Sequence, residues 1–330
     1  MIVSRSPYRI SFFGGGTDYE DWFSDNGGAF LSMAINYYTY ITFRVKPAFQ
    51  DKEFRILWRL AEEVDSIELI RHPIVKQTLK YFNWNKGSDI SYIGDLPGGS
   101  GMGSSSAFTA ALIKALYEDM KKEINPYELA KISYEIEKNK LNETVGIQDQ
   151  IATSFGGFNS VVINKDGSYQ ISPVTLSTDS LVNFISRLVL VYTGQTRRAT
   201  KIAESKVKNI KNKEDEFKIL QEMVPTAKNY LMNGDIDKFG MLMHDSWKIK
   251  RDLSTSVTNK EINELYEFGL KNGAIGGKIL GAGGGGFLLF TSKEGETDNL
   301  VSKLISKNMT VVPFTSSNCG TKIVYSEEPA

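Results

Sequence analysis

Residues 96–107 read Leu-Pro-Gly-Gly-Ser-Gly-Met-Gly-Ser-Ser-Ser-Ala, and an apolar, alanine-rich run follows as far as Ile113. A flexible loop that opens a helix points several backbone N–H groups at one place, with the positive end of the helix dipole behind them. Such an arrangement binds phosphate groups. The sequence therefore predicts a loop for the phosphates of a nucleotide, formed by Pro97, Gly98, Gly99, Ser100, Gly101, Met102, Gly103, Ser104, Ser105 and Ser106.

Other glycine-rich loops fit the chain less well. A P-loop requires lysine after glycine and then serine or threonine, and no lysine follows a glycine in this stretch. The glycine loop of protein kinases comes with catalytic-loop and magnesium-binding signatures that the chain lacks. Residues 281–286 match the dinucleotide fingerprint, but the strand-like residues 287–290 follow where a helix is needed. An ordinary linker is the remaining alternative for 96–107, although linkers rarely run straight into a helix-forming segment.

The composition indicates a globular protein without a dominant charge. A chain of 330 residues favours two domains that share a cleft. The 39 basic and 39 acidic residues cancel, which argues against nucleic acid or an anionic membrane as partner. A single cysteine, Cys319, excludes an internal disulfide and is typical of the reducing cytoplasm. No segment has the pattern of a signal peptide or of a membrane span, so we expect a soluble cytoplasmic protein.

Periodicity predicts an α+β protein with a first domain at 1–185 and a second domain at 186–330. In the first domain we predict strands at 9–13, within 29–46 and at 89–93, helices at 72–82, 104–120, 126–141 and 145–154, and a hairpin of 159–163 with 169–173. In the second domain we predict helices at 196–211, 214–232, 235–252 and 259–272, and strands at 187–193, 275–281, 286–291, 309–314 and 321–326. The second half should therefore place helices beside a mainly antiparallel sheet.

Three glycine motifs follow one another along the chain. They are Arg-Ile-Ser-Phe-Phe-Gly-Gly-Gly-Thr-Asp-Tyr at 9–19, the loop at 96–107 and the glycine run at 281–286. This set resembles the GHMP small-molecule kinases over nearly the whole chain, and its middle motif is the most specific. The resemblance implies that the middle loop wraps the ATP phosphates and that the glycine run lines the cleft. It also implies an N-terminal domain like domain 2 of ribosomal protein S5 and a ferredoxin-like C-terminal domain.

Asp149 is the strongest candidate for a catalytic residue. It lies in the stretch Val-Gly-Ile-Gln-Asp-Gln at 145–150, which resembles the Gly-x-x-Asp-Gln signature of the sugar kinases in this family. An aspartate there can accept the proton of the substrate hydroxyl or only orient that hydroxyl. Arg9 matches the basic residue of the first motif, and we expect it to keep Asp149 charged and to stabilise the transferring phosphoryl group. A surface salt bridge is the alternative for Arg9.

The resemblance also implies Mg²⁺ as a cofactor, because phosphoryl transfer needs a cation on the phosphate oxygens. Ser105 and Glu137 resemble the metal-binding serine and glutamate of the family. Mg²⁺ prefers hard oxygen ligands and usually takes only one or two carboxylates. A solvated surface charge is the alternative for Glu137, but its spacing to Asp149 is close to that in galactokinases.

Departures from the first motif concern the substrate. Galactokinases have Gly-Glu-His-Thr-Asp-Tyr where this chain has Gly-Gly-Gly-Thr-Asp-Tyr at 14–19. Asp18 is expected to bind a sugar hydroxyl, whereas glycines at the Glu-His positions open room for a bulkier sugar. We therefore predict substrate contacts from Gly15, Gly16, Thr17, Asp18, Gly283 and Gly284.

Further segments resemble the branch of the family that phosphorylates D-glycero-D-manno-heptose 7-phosphate. They are the first motif, Gly-x-Gln-Asp-Gln at 146–150, Gly-Gly-Phe-Asn at 156–159, and the segments 247–253, 273–278 and 281–287. Several of these features also occur in the C-terminal regions of fucokinases, so a kinase for fucose stays open.

A sugar that already carries a phosphate requires a second anion site. Two groups of basic residues are candidates: Arg197, Arg198 and Lys201 after a predicted strand end, and His244, Lys248 and Arg251 on one face of a predicted helix. We expect charge-assisted bonds to the distal phosphate from Arg197, Lys248 and Arg251. Lys278, beside glycines, is a further candidate. A solvated basic face is the alternative for each residue.

We predict an ATP-dependent kinase that phosphorylates the anomeric hydroxyl of D-glycero-D-manno-heptose 7-phosphate. The resemblance implies that the product, a heptose 1,7-bisphosphate, supplies nucleotide-activated heptose for surface glycans. The alternatives are a kinase for free fucose or galactose and a non-catalytic regulator that binds nucleotide or sugar. Glycoside hydrolysis is disfavoured because it leaves the phosphate loop unexplained. The oligomeric state is open, with a homodimer as one alternative.

Overall fold

The computed structural model describes residues 1–47, 49, 53–195, 203–204, 207 and 209–327, so most of the predicted helix 196–211 lies outside the described residues. The strands are β1 (Ile2–Phe13), β2 (Gly28–Val45), β3 (Phe54–Leu57), β4 (Ala61–Val64), β5 (Ser88–Gly94), β6 (Phe158–Ile163), β7 (Tyr169–Pro173), β8 (Leu188–Tyr192), β9 (Ala274–Ile279), β10 (Phe287–Ser292), β11 (Thr310–Val311) and β12 (Lys322–Ser326). The helices are α1 (Glu20–Asn26), α2 (Pro73–Tyr81), α3 (Ser104–Asp119), α4 (Pro126–Glu135), α5 (Gln148–Phe155), α6 (Thr178–Ser186), α7 (Glu214–Met232), α8 (Ile236–Asp252), α9 (Lys260–Lys271) and α10 (Thr297–Ser306).

The long strand β2 organises the first sheet, whose strand order is β12-β1-β2-β5-β3-β4. Its residues 39–45 pair antiparallel with β5, and its residues 28–33 pair antiparallel with β6, which in turn pairs with β7. β3 runs parallel to β5. Helix α3 buries Phe108, Leu112 and Leu116 in one apolar cluster with residues of β2 and β5. Strand β5 and helix α3 are therefore fixed against each other, with the predicted phosphate loop between them.

The second sheet has the order β11-β8-β10-β9, and each of its strand pairs is antiparallel. One apolar cluster contains buried residues of β1, α8, β8 and β10, so the two sheets share a core. Within it the ring of Phe239 lies 5.6 Å from that of Phe12 and 5.1 Å from that of Phe13, separations typical of favourable aromatic pairs. The carboxyl end of β1 thus packs directly on the second half of the chain. The predicted α+β class is confirmed.

The last strand corrects the predicted sheet arrangement. Residues 321–326 were predicted to lie beside the strands of the second half, but β12 pairs antiparallel with β1 in the first sheet, with Ile2 opposite Ser326. The segment before β12 runs past β2, where Ser316 forms an antiparallel β-bridge with Ile35. A strand pattern indicates which side chains alternate, and it carries no information about which sheet edge accepts the strand. The division at residue 185 itself stays a prediction.

Sequence periodicity did not predict three short helices, α1, α6 and α10, or the strands β3 and β4. Helix α6 shows the reason, because Phe184 is its one fully buried apolar residue and its start is set by Ser177, whose side chain accepts a hydrogen bond from the Ser180 N–H. Its apolar residues Leu181, Phe184 and Ile185 follow helical spacing but span little more than one turn, which is too short for a clear periodic signal. Within the described ranges, no helix combines the length and apolar character needed to cross a bilayer.

Candidate active site

The loop between β5 and α3 has a backbone that depends on glycine. Gly99, Gly101 and Gly103 have φ values of 70°, 77° and 77°, a region that other residues adopt only with strain. Gly103 is the residue before the 16-residue helix α3, so the first-turn N–H groups of that helix have no partner within the helix. Met102 is fully buried, and its carbonyl accepts a hydrogen bond from the Arg9 N–H at 3.0 Å.

The glycine run holds this loop by close backbone contact. A Cβ on Gly286 would lie 2.1 Å from the Ser100 carbonyl oxygen, and a Cβ on Gly101 would lie 2.6 Å from the Leu280 carbonyl oxygen. Both distances are far below contact distance, so the two backbones can approach only because these residues are glycines. The glycine run is therefore a packing partner of the predicted phosphate loop.

A cavity of about 260 Å³ lies where the loop, β1, α3, α5, α8 and β9 meet. Among the described residues, its lining includes Arg9, Gly15, Gly16, Asp18, Gly99, Gly101, Gly103, Ser104, Ser105, Ser106, Glu137, Gln148, Asp149, Gln150, Lys250, Lys278, Gly281 and Ala282. Of the predicted phosphate-loop residues, Pro97 and Gly98 are exposed beside the cavity, and Ser100 and Met102 are buried behind it. The structure thus brings the predicted catalytic, metal-binding and most of the predicted nucleotide-binding residues to one place.

Arg9 connects Asp149 to the loop. Its Nε and Nη2 atoms donate to Oδ1 of Asp149 at 2.8 and 2.7 Å, and its Nη1 donates to the Gly101 carbonyl at 2.6 Å. The Arg9 side chain is 4% exposed and the Asp149 side chain 30% exposed, so the carboxylate keeps one open side towards the cavity. A buried guanidinium with three fixed bonds is not a surface salt bridge, which removes the alternative stated for Arg9.

Asp18 and Thr17 hold the backbone around the site. The Asp18 carboxylate accepts hydrogen bonds from the Gly16 N–H at 2.8 Å and the Gln148 N–H at 3.3 Å. Burial raises the pKa of Asp18, and the negative charge of Asp149 adds to that effect. Thr17 is fully buried, with its hydroxyl 2.9 Å from the Gly14 carbonyl and 2.8 Å from the Ala29 carbonyl. Thr17, which was predicted to contact substrate, is not part of the described cavity lining, whereas Asp18 lines the cavity and its contact with substrate stays a prediction.

Glu137 lies in a π-helical turn, Ile136–Lys140, that follows α4. Its Oε2 atom accepts hydrogen bonds from the Ser106 hydroxyl at 2.9 Å and from Nε2 of Gln150 at 2.8 Å, whereas Oε1 is buried without a partner. Burial raises the pKa of Glu137 to about 7. The side chain is 1% exposed, which excludes the solvated-charge alternative. The serine bonded to Glu137 is Ser106, and Ser105 lies beside it on the cavity wall.

This donor set fits Mg²⁺. The unpartnered Oε1 of Glu137 and the hydroxyl of Ser105 are hard oxygen donors on one cavity, and Mg²⁺ is commonly held by one or two carboxylates together with substrate phosphates.

Of the described candidates for the distal phosphate, Lys278 lines the cavity, whereas His244, Lys248 and Arg251 do not. Lys248 is 52% exposed and pairs with Asp245 at 3.2 Å, and the Arg251 guanidinium lies over the Trp247 ring at 5.9 Å. The His244 ring bonds to the Tyr266 hydroxyl at 2.6 Å. None of these three belongs to the described cavity lining, while Arg197, Arg198 and Lys201 lie outside the described residues.

Gly283 and Gly284 are also displaced from the predicted substrate site. A Cβ on Gly283 would lie 2.6 Å from the Val257 carbonyl, and the Gly284 N–H donates to that carbonyl at 2.8 Å. Of the residues in the glycine run, Gly281 and Ala282 line the cavity. The predicted role of Gly283 and Gly284 was assigned from their motif, which does not indicate the side of the run that faces the cleft.

Lys250 and Gln148 are cavity residues that the sequence analysis did not select. Nζ of Lys250 donates to the carbonyls of Ile279 and Gly281 at 2.9 and 2.7 Å. The sequence did indicate a buried position for Lys250, because this residue follows the buried Met243 by two helical turns and therefore lies on the apolar face of α8. A lysine on that face requires buried acceptors.

Comparisons with known proteins show the family and the fold. Residues 69–157 match the GHMP kinases N terminal domain and residues 227–310 match the GHMP kinases C terminal model. A D-glycero-alpha-D-manno-heptose 7-phosphate kinase from Campylobacter jejuni is 29% identical over 97% of this chain and 98% of its own length. A bifunctional fucokinase/GDP-fucose pyrophosphorylase from Arabidopsis thaliana is 27% identical, over 88% of this chain and 30% of its own length. The chain also matches the crystal structure of a D-glycero-D-manno-heptose 1-phosphate kinase from Bacteriodes thetaiotaomicron, over 99% of this chain and 100% of that chain. The TM-score is 0.82 at 21% identity, which shows a shared fold.

Proposed function

The chain belongs to the GHMP kinases, and we propose that it transfers the γ-phosphoryl group of ATP to a sugar phosphate. The proposed acceptor is the anomeric hydroxyl of D-glycero-D-manno-heptose 7-phosphate, and the product is heptose 1,7-bisphosphate, a precursor of nucleotide-activated heptose. This substrate is supported by the D-glycero-alpha-D-manno-heptose 7-phosphate kinase from Campylobacter jejuni, which is 29% identical over 97% of this chain. The proposed location is the cytoplasm, of which a single cysteine is typical. A homodimer stays a prediction.

One observation carries the proposal: Arg9 bonds at once to the Asp149 carboxylate and to the Gly101 carbonyl of the loop. The proposed base is therefore held at a fixed position relative to the proposed phosphate site. Catalysis of phosphoryl transfer consists mainly of such positioning together with electrostatic stabilisation. A carboxylate with no fixed relation to the loop would not support a kinase.

We assign the steps to the chain's own residues as follows. The first-turn N–H groups of α3 and the loop glycines bind the ATP phosphates. Asp149 orients the acceptor hydroxyl and takes its proton as the hydroxyl oxygen bonds to the γ-phosphorus and the bond to the leaving ADP oxygen breaks. Arg9 stabilises the charge of the transferring group. Ser105 and Glu137 are the proposed Mg²⁺ ligands, and the ion would neutralise phosphate charge.

A kinase for a free sugar is the second candidate, and one observation favours it. Within the described lining, each of the cavity cations Arg9, Lys250 and Lys278 bonds to a backbone carbonyl of the protein. A phosphate on the acceptor would compete with those bonds. The 27% identity to the Arabidopsis thaliana fucokinase protein supports the same alternative.

The test is ADP release over a panel of hexoses, heptoses and their terminal phosphates, with phosphorus NMR of each product. Turnover of D-glycero-D-manno-heptose 7-phosphate with a new anomeric phosphate resonance supports the proposal. Turnover of free sugars alone replaces it with the second candidate. Tight ATP binding without turnover of any sugar contradicts both and supports the non-catalytic regulator.

A further inference from the structure

The side-chain amide of Gln148, in the wall of the cavity, has a hydrogen-bond partner for only one of its two polar atoms. The residue is 4% exposed, and its Oε1 atom accepts a hydrogen bond from the Ser11 hydroxyl at 2.9 Å. Its Nε2 atom is buried and has no hydrogen-bond partner. A buried donor without an acceptor costs stability, and in a cavity wall a ligand can supply the missing acceptor.

The position of this amide is fixed from two sides. Ser11 on β1 holds the side chain, and the Asp18 carboxylate holds the Gln148 backbone N–H at 3.3 Å. Gly15 has no side chain next to this amide: a Cβ there would lie 3.5 Å from the Ser11 hydroxyl and 3.9 Å from Oε1 of Gln148. The donor is therefore preorganised, which is what selective binding requires.

Gln150, two residues along α5, is a useful comparison. Its Nε2 donates to Glu137, and the atom it leaves without a partner is the acceptor Oε1. The two amides, both of residues that line the cavity, thus differ in what they offer: Gln150 has an unpartnered oxygen, and Gln148 has an unpartnered N–H. A neutral N–H donor matches a hydroxyl oxygen.

We propose that Gln148 determines substrate specificity by donating a hydrogen bond from Nε2 to a sugar hydroxyl other than the one phosphorylated. This inference rests on the proposed function, since it requires that a polyhydroxylated acceptor binds beside Asp149. A site that offers a buried donor to a substrate hydroxyl rejects an analogue that lacks this hydroxyl, because the donor is then left without a partner.

The experiment measures kcat/KM of wild type, Gln148→Met and Gln148→Glu on D-glycero-D-manno-heptose 7-phosphate and on its 2-deoxy, 3-deoxy and 4-deoxy analogues. Gln148→Glu keeps an oxygen for Ser11 and replaces the donor by an acceptor, which protects the test if the methionine variant folds poorly. Gln170→Met, at an exposed position of β7, is the matched control. Circular dichroism and melting temperature verify the fold of each variant.

We expect both Gln148 variants to lose roughly tenfold to a hundredfold in kcat/KM on the parent sugar. On one deoxy analogue wild type should show a similar loss and the variants no further loss, which identifies the bonded hydroxyl. An equal loss of the variants on every analogue indicates a purely structural role and overturns the inference while the kinase assignment stands. Failure of wild type to turn over or bind any sugar overturns the proposed function, and the inference with it.

Discussion

Arg9 and Asp149 lie 140 residues apart in sequence and are joined by two hydrogen bonds to a single carboxylate oxygen. Because both bonds use Oδ1, the second oxygen of Asp149 remains for the cavity. The third arginine bond, to the Gly101 carbonyl, ties this carboxylate to the loop before α3. A strand of the first sheet thus sets the distance between the proposed base and the proposed phosphate site, independently of any substrate.

Replacing Asp149 by asparagine should abolish most of the activity. The amide keeps the size of the side chain but cannot take the proton of the acceptor hydroxyl, and general-base contributions amount to about 10²- to 10⁴-fold in rate. Nucleotide affinity should stay unchanged, because the loop and the start of α3 are intact. Steady-state ADP release and calorimetric titration with a non-hydrolysable ATP analogue measure the two quantities.

Asp245→Asn is the matched control for this substitution. Asp245 is 58% exposed and forms an exposed ion pair with Lys248 outside the described cavity lining, so its change should leave kcat unaltered. Wild-type turnover in Asp149→Asn would show that the carboxylate does not accept the proton of the acceptor hydroxyl.

Glu137→Gln tests the proposed Mg²⁺ site. The amide can still accept the bonds from Ser106 and Gln150, but it removes the negative charge that a hard cation prefers. We expect the Mg²⁺ concentration for half-maximal activity to rise at least about tenfold. Electron paramagnetic resonance of bound Mn²⁺ should show weaker binding in the presence of the ATP analogue.

Glu143→Gln provides the comparison, since Glu143 also lines the cavity and burial also raises its pKa. Its loss should leave Mn²⁺ binding closer to that of wild type. Equal weakening in both variants would mean that general negative charge, rather than ligation by Glu137, attracts the cation.

The sequence predicted which residues belong to this site better than it predicted how those residues are arranged. Arg9 and Asp149 were predicted because each lies in a motif with an unusual local pattern. Lys250 was not, because it stands close to Lys248 and Arg251, and only its helical spacing from the apolar residues of α8 distinguishes it from these two basic residues. The partner of β12 depends in the same way on a free sheet edge, which no local pattern encodes.

Gly101→Ala should destabilise the protein and weaken ATP binding. The new methyl group would lie 2.6 Å from the Leu280 carbonyl oxygen, and the backbone φ of 77° adds strain. Gly234→Ala is a close control, since its φ is also 77° and its Cβ would meet nothing within 4 Å. We expect a loss of about 1–2 kcal/mol in the free energy of unfolding from the backbone conformation alone, and a larger loss for Gly101. Chemical denaturation measures both, and equal losses would contradict the contact between loop and glycine run.

Lys250→Met and Lys248→Glu separate the buried lysine from the exposed one. Lys250→Met leaves the carbonyls of Ile279 and Gly281 without this donor, and unmade buried hydrogen bonds cost about 1–3 kcal/mol each. The KM for ATP should rise because Gly281 contacts the loop. Lys248→Glu removes only an exposed pair, so KM for the sugar phosphate should change by less than about twofold. A large rise of that KM in Lys248→Glu would restore the distal-phosphate role predicted from the sequence.

His72 should make the stability of the protein depend on pH. Its ring packs on Phe108 at 4.6 Å, its Nδ1 accepts the Val75 N–H at 3.3 Å, and burial lowers its pKa from 6.5 to about 4. The folded protein therefore resists protonation of this ring, so stability is fully present above about pH 6.5 and falls, by about 1.4 kcal/mol per pH unit, as the pH drops towards about 4. In His72→Asn the amide oxygen can still cap α2 but does not titrate. Urea unfolding between about pH 7 and about pH 5 should show a smaller decline of the unfolding free energy in the variant than in wild type, and parallel declines would mean that other groups cause the acid sensitivity.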